Sequence, residues 1–254
     1  MVETLEIRRL CSSIWLTDGA TRNTSGIEWS SDHTLTVYGT RRSEVLAIAP
    51  FKAAKLGETT VNYSPSVSLD GCINETGFGI TLIRNLDGRP GGIETFEFTA
   101  GTDAVGVQLS IDQFGSEDGV LVVASRRGVV ERWIIRQSLV DRLVIDAGAG
   151  NDYVSCGAAF DDNGEETILP AVLMGGAGDD TIVTAGDATL SGGAGNDVLA
   201  TTGVANLVLN GGRGDDYIAV SDDTAKIDGG AGFDRVNASA ERFEKTGIEG
   251  IAQP

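Results

Sequence analysis

Five short segments in the C-terminal half bring together residues that could hold a cation. They are Ala147-Gly-Ala-Gly-Asn-Asp152, Gly175-Gly-Ala-Gly-Asp-Asp180, Gly192-Gly-Ala-Gly-Asn-Asp197, Gly211-Gly-Arg-Gly-Asp-Asp216 and Gly229-Gly-Ala-Gly-Phe-Asp234. Aspartate supplies a carboxylate on a short stem. Glycine lets the backbone enter conformations closed to residues with a β-carbon, so a tight turn can present its carbonyl oxygens. Such oxygens suit calcium, a hard ion that takes roughly six to eight of them at about 2.3–2.6 Å. A lone segment of this kind is an ordinary turn; five in one frame are a repeat.

The flanks say what positions these turns. Two residues before each turn stand Ile145, Leu173, Leu190, Leu209 and Ile227; two residues after each aspartate stand Val154, Ile182, Leu199, Ile218 and Val236. Aliphatic residues at this offset on both sides predict short strands with one face inward. The terminal aspartates recur at intervals of 28, 17, 19 and 18 residues. An interval near eighteen means one glycine-rich turn per full coil. The far turns, Thr184–Asp187, Thr201–Val204 and Ser221–Thr224, carry turn residues but not the motif. Ions are therefore expected on one edge only. The long first interval holds an acidic insertion around Phe160–Ile168, read as a surface loop.

Bulk composition agrees and excludes alternatives. The 254 residues carry 19 Lys+Arg against 37 Asp+Glu, a net charge of −18. Residues 146–254 hold 19 of the acids, 5 of the bases and 20 of the 35 glycines. Nucleic acid needs a basic face, and so does an anionic membrane surface. A segment this acidic and glycine-rich stays disordered unless something cationic neutralises it. Cys11, Cys72 and Cys156 fit neither a metal pattern nor a disulfide framework, and read as small buried hydrophobes. No run is long enough to span a bilayer, and the first twenty residues lack the apolar stretch of a secretory signal.

The repeat resembles the hemolysin-type calcium-binding nonapeptide of RTX proteins, G-G-x-G-x-D-x-U-x, over about residues 145–236. Four of the five turns match every defined position; Ala147 replaces the leading glycine in the first. The resemblance implies an all-β fold, a right-handed parallel β-roll or solenoid. It also implies calcium between each turn and the equivalent turn of the next coil. Its ligand pattern takes carbonyls from positions two and four of one turn, positions one and three of the next, and both aspartates. Carried over, the first site is Gly148, Gly150 and Asp152 with Gly175, Ala177 and Asp180. The second is Gly176, Gly178 and Asp180 with Gly192, Ala194 and Asp197. The third is Gly193, Gly195 and Asp197 with Gly211, Arg213 and Asp216. The fourth is Gly212, Gly214 and Asp216 with Gly229, Ala231 and Asp234. About four ions would take the net charge from −18 to −10. Shared acids suggest an affinity on the order of 10⁻⁴–10⁻³ M, suited to extracellular calcium. Binding and folding of residues 146–254 are then expected to be one process.

Upstream, Gly39–Glu44 has Val37 two before and Leu46 two after, and Phe98–Asp103 has Phe96 and Val105. Both read as degenerate coils of the same solenoid with hairpins inserted, Gly119–Ile135 among them; a separate β-sandwich over residues 1–110 is the alternative. The expected division is a lead-in over 1–30, a β-rich region over 31–142 and the calcium-binding roll over 143–254. Helix is expected nowhere beyond a turn at Glu241–Lys245, and Ile248–Pro254 reads as a last strand with an exposed edge. Leu5-Glu-Ile-Arg-Arg-Leu-Cys11 partly resembles the LEPR-XLL segment of exported bacterial surface proteins, with Ile7 for the proline and Cys11 for the last leucine.

Catalysis finds little support. His33 is the sole histidine, which excludes an H-E-x-x-H zinc site, and no G-x-S-x-G elbow exists. Arg213-Gly214-Asp215 spells an adhesive tripeptide, but the repeat already accounts for its glycine. The expected function is a calcium-binding structural or adhesive segment of an exported bacterial protein, outside the cell or on its surface. Its partners would be calcium and a cell-surface or matrix polymer. The rival is a calcium-dependent β-helix epimerase or lyase acting on acidic polysaccharide.

Overall fold

The aliphatic residues that flank each turn become two buried columns, and stacking those columns builds the fold. The computed structural model describes residues 26–30, 32–51, 61–63, 79–84, 93–100, 103–110, 119–126, 129–157, 159–160, 166–167, 169–201, 206–220, 225–238 and 244–252. The LEPR-XLL-like segment, Cys11 and Cys72 lie outside them.

Strands β1 (Gly26–Trp29), β2 (Thr34–Tyr38) and β3 (Val45–Phe51) come first. There follow β4 (Val61–Tyr63), β5 (Gly79–Arg84), β6 (Ile93–Ala100) and β7 (Asp103–Ser110), then β8 (Gly119–Arg126) and β9 (Val129–Arg136). A 3-10 turn at Gln137–Leu139 leads to β10 (Arg142–Asp146) and β11 (Tyr153–Cys156). The insertion contributes β12 (Ala159–Phe160) and β13 (Glu166–Thr167). The repeats then give β14 (Ala171–Ala177), β15 (Thr181–Thr184), β16 (Ala188–Ala194), β17 (Val198–Thr201), β18 (Leu207–Arg213) and β19 (Tyr217–Val220). Last come β20 (Lys226–Ala231), β21 (Arg235–Ala238), β22 (Glu244–Thr246) and β23 (Gly250–Ala252).

Two sheets face each other. One runs β1-β2-β10-β14-β16-β18-β20-β22 and the other β23-β21-β19-β17-β15-β11-β3-β8-β9. From β2 to β22 and from β3 to β23 every pairing is parallel, so the chain crosses once from sheet to sheet through each glycine turn. The register aligns Val37, Ile145, Leu173, Leu190, Leu209 and Ile227 in one column. It aligns Leu46, Val154, Ile182, Leu199, Ile218 and Val236 in the other. All twelve are buried. Neither column could be hidden by one coil alone, which is why the fold needs the stack.

The molecule is thus an all-β parallel β-roll, and it begins before its five glycine turns do. The Gly39–Glu44 segment is a true coil: β2 and β3 stand on either side of it, stacked on β10 and β11. At the roll's N-terminal end both sheets are extended by antiparallel strands, β1 on β2 and β8 on β3, with β9 completing the expected Gly119–Ile135 hairpin.

Three expectations are corrected. Phe98–Asp103 is not a coil: β6 and β7 pair antiparallel with Ala100 opposite Asp103, in a separate sheet of order β4-β5-β6-β7. Apolar residues on both sides of a turn satisfy a hairpin as well as a roll. The Phe160–Ile168 insertion contains a short hairpin, β12 with β13. Glu244 and Lys245, expected in a helical turn, lie in strand β22. There Lys245 takes the place of the next aliphatic residue after Ile227, and a charge ends that column. At the far end of the other sheet, β23 is the outermost strand among the described residues.

Candidate metal centre

At the edge where the chain crosses between sheets, the sixth residue of each turn sits directly over its counterpart. The main-chain N–H of Asp152 donates to Asp180 Oδ1, that of Asp180 to Asp197 Oδ1, and that of Asp197 to Asp216 Oδ1, each at 2.8 Å. Asp216 N–H continues to Asp234 Oδ1 at 2.9 Å. Glu44 N–H starts the file by donating to Asp152 Oδ1 at 2.7 Å, and Asp234 N–H ends it on Glu249 Oε2 at 2.9 Å.

Each aspartate therefore has one oxygen bound to the coil before it. The other is different. Oδ2 of Asp152, Asp180, Asp197, Asp216 and Asp234 is buried and has no hydrogen-bond partner. A buried carboxylate oxygen without a partner costs roughly 1–3 kcal/mol or more, and here five recur in one file. Repetition at the same position marks a place for a cation.

The glycines at position one shape that place. A β-carbon on Gly192 would collide with Asp197 Oδ2 and lie 2.6 Å from the Gly211 carbonyl oxygen. On Gly211 it would meet Asp216 Oδ2 and, at 2.5 Å, the Gly229 carbonyl. On Gly175 it would strike Asp180 Oδ2. The carboxylate of one turn and the first carbonyl of the next thus converge on space that only glycine leaves open. Ala147 stands at this position in the first turn and is buried.

The remaining residues of the motif stack position by position. Gly176, Gly193, Gly212 and Gly230 stack at position two, and Ala177, Ala194, Arg213 and Ala231 at position three. At positions two and four φ is positive, as at Gly193 (117°) and Gly195 (138°). A β-carbon there would strike the carbonyls of Gly176 and Gly178 in the turn before. Carbonyls of positions two and four hence face the following turn. Those of position three accept hydrogen bonds from the turn before: Gly150 N–H to Ala177, Gly178 to Ala194, Gly195 to Arg213 and Gly214 to Ala231. Gly148 likewise accepts from Ala177 N–H at 3.1 Å. A carbonyl has two lone pairs, so these bonds leave a second donor pair for an ion.

Burial pushes the acids upward. Asp152 is raised to about 7, and Asp180, Asp197 and Asp216 to about 6. Asp234 is raised as well. Loss of hydration leads in every case, and neighbouring carboxylates add to it, Asp180 and Asp179 acting on Asp197. Among the described residues no three His, Cys, Asp or Glu side chains gather as a metal group. An ion held here would draw on carboxylate and main-chain carbonyl oxygens. That donor set is all oxygen, which favours calcium over zinc or copper.

Two features were not foreseen. Position five is not a free position. Asn151 N–H donates to Ser43 Oγ, Asp179 N–H to Asn151 Oδ1, Asn196 N–H to Asp179 Oδ1, Asp215 N–H to Asn196 Oδ1 and Phe233 N–H to Asp215 Oδ1. This outer ladder runs opposite in sense to the inner one. Four of the five turns carry Asn or Asp at that position, each with an acceptor oxygen. The second feature is a further turn, Gly247–Glu249, between β22 and β23.

Fold and site together define a calcium-binding β-roll. A family model described as the RTX calcium-binding nonapeptide repeat (4 copies) matches residues 144–161 and 182–201. The turns ending at Asp152 and Asp197 lie inside the match; register ties in those ending at Asp180, Asp216 and Asp234. Over those residues the chain carries RTX-type calcium-binding repeats, which supports calcium binding by its β-roll. No curated protein and no solved structure matches it. No helix among the described residues is long and apolar enough to cross a membrane.

Proposed function

We propose that the roll holds about four calcium ions on one edge, each between consecutive glycine turns, and that it folds or rigidifies as they bind. The sites pair the turn ending at Asp152 with that at Asp180, Asp180 with Asp197, Asp197 with Asp216, and Asp216 with Asp234. The observation that carries this is the file of buried Oδ2 atoms without partners. In water without calcium, these oxygens repel one another and lack compensation; with calcium each gains a ligand bond.

RTX repeats occur in exported bacterial proteins. A roll that is loose at low calcium and rigid at high calcium suits passage out of a cell and setting outside it. We therefore assign the chain the role of a structural or adhesive segment of an exported protein, meeting a cell-surface or matrix polymer. The division into 1–30, 31–142 and 143–254 is part of the same proposal. Circular dichroism of the full chain with calcium and with chelator tests the folding claim. Strand signal should fall in chelator and return with calcium; identical spectra would sink it.

A further inference from the structure

We infer that the roll carries one more calcium site than its motif predicts, at its C-terminal end, between the Asp234 turn and the short turn Gly247–Glu249. The inference rests on the calcium reading of the preceding turns. Gly247-Ile248-Glu249 matches no part of the repeat and is half its length: Asp228 pairs with Thr246 before the turn, and Arg235 with Gly250 after it. Three residues therefore replace the six from Gly229 to Asp234.

Despite this the atoms recur. Asp234 N–H donates to Glu249 Oε2, as each earlier aspartate N–H donates to the next carboxylate. Glutamate has one methylene more than aspartate, which lets the carboxylate reach the file from a backbone that takes the shorter path. A β-carbon on Gly229 would collide with the Gly247 carbonyl oxygen and lie 2.7 Å from Asp234 Oδ2. The same convergence of a carboxylate and the next turn's first carbonyl occurs at Gly192 and Gly211. Asp234 is wholly buried, with 0% of its surface exposed, and its Oδ2 has no hydrogen-bond partner. The four motif sites give Asp180, Asp197 and Asp216 two ions each and Asp234 one; an ion here gives Asp234 its second.

The shortened turn has no counterparts of positions three to five, so fewer protein carbonyls are at hand and water must complete the shell. This site should be the weakest and the first to empty. It also places a cation at the end of the stack, where Glu249 and Asp234 otherwise repel each other.

Native mass spectrometry of the full chain in calcium reads the count. Wild type should carry five ions and Glu249→Gln four, because the amide keeps an oxygen to accept Asp234 N–H but loses the charge. A wild-type count of four, or five in the variant, overturns the inference and leaves the motif sites standing. A count of zero in wild type removes the calcium reading beneath it. Diffraction from wild-type crystals grown in calcium reads the same place without any substitution. An anomalous peak about 2.3–2.6 Å from Asp234 Oδ2 and the Gly247 carbonyl is expected; its absence beside four occupied motif sites overturns the inference.

Discussion

The main-chain N–H of Asp180 donates to Asp197 Oδ1 at 2.8 Å, while Asp197 Oδ2, on the same carboxylate, is buried and has no hydrogen-bond partner. One oxygen holds the stack together and the other is kept for an ion. Neutral and charged forms of this residue should therefore behave oppositely with and without metal. Asp197→Asn keeps the Oδ1 acceptor. In calcium it should weaken binding at least about tenfold, since charged ligands to a hard ion are replaced at two adjoining sites. In chelator at pH 7.5 it should stabilise the roll by roughly 1–2 kcal/mol by removing a buried charge. Thermal melts in both conditions check this; a loss of stability in both would assign Asp197 a purely structural role.

Position one should tune affinity by volume alone. Ala147→Gly should tighten calcium at the first site, because alanine stands there where the other four turns have glycine. Gly192→Ala should loosen binding at the site between Asp197 and Asp216, through collision with Asp197 Oδ2 and the Gly211 carbonyl. Isothermal titration of both variants against wild type reads the two directions.

Acidity gives a third prediction. Unfolded aspartate titrates near about 3.9, whereas in the folded roll Asp180, Asp197 and Asp216 titrate at about 6 and Asp152 at about 7. The metal-free folded state thus binds more protons than the unfolded chain between these values. The stability this contributes is fully present below about pH 4 and is lost as pH rises through 6 to 7. Melting in chelator should occur at a lower temperature at pH 8 than at pH 5. Calcium requires the ionised carboxylates, so in calcium the order should reverse, and binding near pH 6 should release protons.

The apolar columns set stability independently of the metal. Leu190→Ala removes a side chain packed between Leu173 and Leu209 and should cost about 2–5 kcal/mol in calcium. Asn196→Ala, on the exposed outer ladder, removes only the acceptor of Asp215 N–H and should cost about 0.5–1.5 kcal/mol. Urea denaturation of the calcium-loaded variants separates the two.

Much of this architecture is legible in residue order, because a column needs an aliphatic residue at a constant offset from each turn. Val37 and Leu46 announce the coil around Gly39–Glu44 although the motif there has decayed. The same offset misleads at Phe96 and Val105, since a hairpin has the same spacing and only the identity of the neighbouring strand decides. Gly247–Glu249 escapes notice because shortening a turn destroys its spacing while side-chain length restores its geometry. The outer ladder of Asn151, Asp179, Asn196 and Asp215 is hidden for another reason. Asparagine and aspartate are ordinary turn residues, and their coil-to-coil bonds exist only once the stack is assembled.

The central claim is that calcium lies between stacked aspartate turns on one edge. Anomalous diffraction from crystals of the full chain grown in calcium tests it most directly. The account predicts a row of peaks between the turns ending at Asp152, Asp180, Asp197, Asp216 and Asp234, each about 2.3–2.6 Å from carboxylate and main-chain oxygens. Ordered turns with no peaks between them, or peaks confined to the opposite edge of the roll, would contradict it.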